Sequence, residues 1–159
     1  MPLIQVITLI HAPVERVFDL ARSVDLHADA AYPAKATAIA GVTQGLIGPG
    51  EEVTWLAKQF GLARTLTSRI VVFSRPGHFR DSMVRGPFRR FDHDHFFTAQ
   101  GEATRVEDRF DFTTPLGFAG RIANALFLHA HMRRLIETQA QAVKQAAEGD
   151  GWKSYLKDR

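Results

Sequence analysis

Two histidines one residue apart, His93 and His95, stand in the run "FDHDHFF" between Phe91 and Phe97. Side chains on an extended chain alternate between faces. Phe91, His93, His95 and Phe97 therefore share one face, and Arg90, Asp92 and Asp94 the other. The first set is the more apolar and is expected to point inward, the second toward solvent. In the next extended stretch the same alternation separates Val106, Asp108, Phe110 and Phe112 from Arg105, Glu107, Arg109 and Asp111. If the two stretches pair as a hairpin through "AQGEAT", matching their inward faces sets Asp108 opposite or diagonal to His93 or His95.

Imidazoles and a carboxylate gathered in an apolar interior can do three things. They can hold a metal ion, for which an i, i+2 histidine pair is by itself a weak pattern. They can act as general acid and base, with His93, His95 and Asp108 as the catalytic group. Or they can satisfy one another while orienting the polar end of a ligand, which needs no chemistry and is the preferred reading.

His129 falls on the apolar stripe of the last helix and is expected to approach the cluster, whereas His131, about 200° further round, is expected at the surface. His11 and His27 read as surface or capping residues at helix ends, and His78 as a solvated turn residue in "RPGH". Ser68, Ser74 and Ser82 have no nucleophile-elbow context. "GLIGPG" follows neither dinucleotide nor P-loop spacing.

The elements that must position these residues are legible from pattern. "LIQVITLI" is a β-branched run that reads as a strand. Pro13 suits a first helical position, and Val14, Val17, Phe18 and Ala21 follow at helical spacing, with a second short helix over residues 24–31. Six strand-like stretches separated by turn signals then imply an antiparallel meander. A long helix closes the chain, with Phe118, Ile122, Ala125, His129, Met132, Ile136, Ala140 and Val143 at steps of three or four and Gly149 as its stop. Residues 1–148 thus read as one α+β domain, and residues 149–159 as a mobile tail. A curved sheet of about seven strands wrapped round one helix often leaves a cavity between them.

Composition narrows the classes. A chain of 159 residues without cysteine excludes disulfides, thiolate metal sites and a thiol nucleophile. A net charge of +3 with no basic stripe argues against nucleic-acid binding. The first ten residues lack signal-peptide features, and their apolar run is too short to span a bilayer, so the expectation is a cytoplasmic protein without stable membrane insertion. The oligomeric state is left open, a homodimer included. Twelve phenylalanines against two tyrosines and two tryptophans suggest a large apolar interior.

The order and punctuation of these segments resemble the START/birch-pollen-allergen (SRPBCC) superfamily, in particular its ligand-binding and polyketide cyclase/dehydrase-like branch. The resemblance is carried by "IHAPVERVFDL", "GLIGPGEEVTW", "GPFRRFDHDHFF", "ATRVEDRFDFTTPLG" and the closing helix, and spans residues 3–148. It implies a helix-grip fold whose cavity between sheet and helix holds a hydrophobic or amphipathic small molecule of lipid, polyketide or aromatic type. It brings no metal or other cofactor. Trp55, Phe91, His93, His95, Phe97, Asp108, Phe110, His129, Met132 and Ile136 are then the expected ligand-binding residues. Phe60, Phe73 and Phe79 are further wall candidates, and Gly45, Gly48 and Gly50 candidate gate residues. Relatives that are enzymes leave a cofactor-free cyclase or dehydratase as the alternative. A protein-interaction module with an exposed apolar groove is a third class.

Overall fold

The computed structural model describes residues 3–30, 35–59, 61–114 and 121–157. Phe60, Phe118 and the side chains of Ile122 and Ala125 lie outside the described residues. The elements run β1 (Leu3–Ile10), α1 (Val14–Ala21), α2 (Val24–Ala30), β2 (Ala36–Gly41), β3 (Glu52–Gln59), β4 (Leu62–Ser74), β5 (His78–Arg85), β6 (Arg90–Gln100), β7 (Ala103–Thr113), α3 (Arg121–Glu148) and α4 (Trp152–Tyr155). Strands β2 to β7 form the expected meander, and β1 closes it by pairing with β7, in the order β1-β7-β6-β5-β4-β3-β2. This is the helix-grip arrangement: one antiparallel sheet around a long terminal helix, with two short helices after the first strand.

Local chemistry sets the boundaries. Pro13 caps α1 and the helix begins at Val14, one residue later than the spacing suggests. The two-residue loop Gly101-Glu102 joins β6 to β7, with Gly101 at φ 62°, a backbone region open to glycine at little cost. Gly41 ends β2 at φ 72°, and a Cβ there would lie 2.2 Å from the Glu52 carbonyl oxygen, so only glycine fits. The β4–β5 ladder carries register shifts between Thr67 and Ser68 and between Ile70 and Val72, which interrupt its regular pairing.

The inner face carries two apolar clusters. One gathers α1 and α2 around Phe18, which is fully buried with Phe73, Phe79 and Phe97 edge-on at 5.4, 5.4 and 5.2 Å. The other packs Met132, Ile136 and Ala140 of α3 against Ile4, Val6, Phe91, Phe110 and Phe112. Each inward row passes from one cluster to the other through a polar interruption: His93 and His95 in β6, Asp108 in β7.

Beyond residue 148 the chain is not a free tail. Trp152, Tyr155 and Leu156 pack on the first cluster, Arg16 lies 4.2 Å over the Trp152 ring, and the Tyr155 hydroxyl donates to Asp29 at 2.8 Å. The weak periodicity of a four-residue helix hid this contact. No helix among the described residues is long and apolar enough to cross a membrane.

Candidate functional site

The β6–β7 register sets His95 opposite Asp108 and His93 opposite Phe110. On the other side, the β5–β6 register sets His93 opposite Asp81. The two histidines therefore stand between two carboxylates, and Asp81 is the member that the reading of β6 and β7 missed. Its signal was present in β5, where Phe79 and Asp81 share an inward parity.

The contacts are close. His95 Nδ1 lies 2.7 Å from Asp108 Oδ1, and His95 Nε2 is hydrogen-bonded to Asp81 Oδ1 at 3.2 Å. His93 Nε2 lies 3.3 Å from the same Asp108 oxygen without hydrogen-bond geometry, and His93 Nδ1 lies 3.8 Å from Asp81 Oδ1. Aromatic rings bracket the pair. Phe79 stacks on His95 at 4.2 Å, the two imidazoles are 3.8 Å apart, and Phe110 meets His93 edge-on at 5.4 Å.

Electrostatics divides the roles. Burial alone would discharge His95, but hydrogen bonding and the charges of Asp108 and Asp81 outweigh it and push the imidazole up to about 9. Burial would likewise raise Asp108, yet both histidines hold it well below the usual carboxylate range. Asp81 is lowered in the same way, through its bond to His95 and the nearby imidazoles. At neutral pH the cluster thus contains an imidazolium held between two carboxylates. His27 faces it from α2; burial, helped by repulsion from His95, brings this imidazole down to about 4.

A cavity of about 330 Å³ opens between the sheet, α2 and α3, with His93, His95 and Asp81 in its wall. Trp55, Phe91, Phe110, Met132 and Ile136 line it too. A second, small space of about 20 Å³ lies behind the imidazoles, bounded by Asp108, Thr8, His27 and Gln139. That is room for a single water beside polar partners.

Several expected positions differ. His131, not His129, lines the cavity among the described residues, along with Arg134 and Thr138, while Met132, Ile136, Ala140 and Val143 of the expected stripe are buried. Phe97 lies one step past the polar interruption, within the core around Phe18, and Phe73 is core as well. His27 is neither a cap nor a surface residue: it lines both spaces. His78 is not a free turn residue, since it opens β5, stacks on Phe96 and pairs with Asp94 at 2.7 Å. Asp94 does point to the outer face, but Arg80 and His78 cover it, leaving it buried. Among residues 45–50, Ile47 lines the cavity while Gly45, Gly48 and Gly50 do not, and the loop is pinned to α2 through Asp25 and Val24.

Comparison with known proteins bears on this geometry. The aromatase/cyclase ZhuI from a Streptomyces species superposes with a TM-score of 0.72 at 18% identity, covering 98% of this chain and 97% of that one. TTHA0849 from Thermus thermophilus gives 0.71 at 18% identity, covering 92% and 99%. Ara h 8.0201 gives 0.64 at 14% identity, covering 91% and 96%. These likenesses establish the fold alone. No curated protein matches the sequence. Residues 1–148 match the model of the family described as polyketide cyclase/dehydrase and lipid transport, and the chain belongs to that family.

Proposed function

We propose that the protein binds a hydrophobic or amphipathic small molecule of lipid, polyketide or aromatic type, its apolar body in the 330 Å³ cavity and its polar end at the His/Asp cluster. The observation that carries this reading is a cavity wall where Trp55, Phe79, Phe88, Phe91 and Phe110 stand beside the converging polar groups of Asp81, His93 and His95. The volume is at the low end of small-molecule pockets, about 300–1,000 Å³. The family's description, which joins polyketide chemistry to lipid transport, supports the same ligand classes. Native mass spectrometry of the purified protein, followed by solvent extraction, tests it. A co-purified apolar compound or uptake from a lipid and aromatic panel is expected, and failure across the panel would overturn the reading.

One observation favours a second reading, cofactor-free dehydration or cyclisation. His95 carries a proton between two carboxylates that do not, so donor and acceptor are both at the cavity floor. In a dehydration, Asp81 would take the proton next to a carbonyl while His95 donates to the departing hydroxyl, which leaves as water. The His93→Ala/His95→Ala double variant should then lose turnover and keep most ligand affinity. Equal loss of both would reduce the cluster to positioning.

A further inference from the structure

We infer that Asp81, His93 and His95 form a binding site for one divalent first-row transition ion, of the Zn²⁺ or Fe²⁺ type. The inference deepens the reading of the same cavity but rests on the cluster's own geometry. One donor atom from each of the three residues lies within 4.8 Å of the others. Around such an ion, bonded at about 2.0–2.2 Å, neighbouring ligand atoms stand roughly 3–3.5 Å apart. His95 Nε2 and His93 Nδ1 lie 3.2 and 3.8 Å from Asp81 Oδ1.

Those distances are long for what they would otherwise be. A charge-assisted hydrogen bond closes to about 2.7–2.9 Å, as His95 does with Asp108 at 2.7 Å. On the Asp81 side the same imidazole stands off at 3.2 Å, and His93 does not bond at all. The cluster is drawn tight at its back and splayed at its front.

The arrangement supplies what a bound ion needs. Asp81, His93 and His95 all face the cavity, whereas Asp108 sits behind them and reaches only the small space beyond. With Nε2 of His95 and Nδ1 of His93 on the ion, the opposite nitrogens both point at Asp108 Oδ1, at 2.7 and 3.3 Å. A carboxylate behind a ligating histidine fixes its ring and tautomer. It would also give a partner to His93 Nε2, a buried nitrogen with none. Binding the ion displaces the proton that His95 otherwise holds, and two carboxylates with two neutral imidazoles then balance the dication, which a buried charge requires. Two imidazoles and one carboxylate suit zinc or iron better than calcium or magnesium, and the remaining positions open on the cavity, where an oxygen of the bound molecule can enter.

The test is equilibrium dialysis of chelator-treated protein against Co²⁺ and Zn²⁺, with elemental analysis and the visible absorption of Co²⁺ as readouts. One equivalent per chain and a Co²⁺ spectrum with nitrogen ligation are expected. His93→Ala and Asp81→Ala should weaken binding by at least about 100-fold, Asp108→Asn by about 10–100-fold, and His78→Ala not at all. Histidine-ring NMR on the unaltered protein keeps the inference testable if a variant fails to fold: the ion should move the His93 and His95 resonances and leave that of His78. Substoichiometric binding, or equal binding by the His93 and His78 variants, would overturn it. Ion binding without uptake of any amphiphile would remove the functional reading and leave this site standing; uptake without the ion would do the reverse.

Discussion

His95 and Asp108 face each other across the β6–β7 hairpin, Nδ1 2.7 Å from Oδ1, with each side chain only 8% exposed. A charge pair in that position costs desolvation on both sides, and its balance shifts sharply when one partner is removed. Asp108→Ala should destabilise the protein by about 3–5 kcal/mol. Asp92→Ala, on the outer face of β6, should cost no more than about 1 kcal/mol. Urea denaturation of the three proteins side by side checks the difference.

The pH dependence follows with opposite signs for two histidines. His95 is raised from 6.5 to about 9 in the fold, so its contribution is complete below about 6.5 and is lost as pH rises through 9. His27 is lowered from 6.5 to about 4, so the unfolded chain takes up its proton first and stability falls as pH drops from 6.5 toward 4. Urea midpoints of chelator-treated protein measured from about pH 4 to about pH 9 should therefore decline at both ends. His95→Gln should flatten the alkaline limb and His27→Gln should soften the acid one. An alkaline limb unchanged in His95→Gln would contradict the assignment.

Trp55 lines the cavity, while the second tryptophan, Trp152, sits beneath Arg16 and does not. An apolar ligand in the cavity should shift or quench Trp55 emission, and the change should survive in Trp152→Phe. Ile136→Trp, which places a large ring into the same space, should lower ligand affinity by at least about tenfold. Fluorescence titration with an aromatic or fatty-acid probe measures both.

Gly41→Ala should destabilise by more than about 1 kcal/mol, because it combines an unfavourable positive φ with a 2.2 Å approach to backbone at Glu52. Gly101→Ala, also at positive φ but with nothing within 4 Å of the new Cβ, should cost less. Thermal unfolding of the two variants separates strain from collision.

The sheet and its enclosing helix could be read from sequence because period-two rows and turn residues report directly on which side of a strand faces the core. The same rows brought Asp108 to the histidines, since hairpin register follows from a short loop. Asp81 escaped because β5 reaches β6 only through the longer connection at residues 86–89, and its partner therefore depends on a register that the loop does not dictate. His27 and His131 escaped for another reason. The stripe on α3 holds from Met132 to Val143, but whether a flanking position such as His131 borders a cavity depends on how the helix stands against the sheet, and for His27 on how α2 packs. The burial of Asp94 came from Arg80, a residue whose length lets it fold back over its neighbour.

The pairing of β1 with β7 has a consequence for how the chain assembles. Strands β4 to β7 find their partners from the neighbouring hairpin, but β1 must wait for residues made about a hundred positions later. Such distant pairing is slow relative to hairpin closure. During synthesis, the rung of Asp81, His93, His95 and Asp108 has its own strands in hand while Ile4 and Val6 are still unpaired, and α3, which packs against them, emerges later still. The polar patch is therefore laid down on an open sheet, wet and accessible, and is enclosed only when β1 has paired and α3 has packed over it.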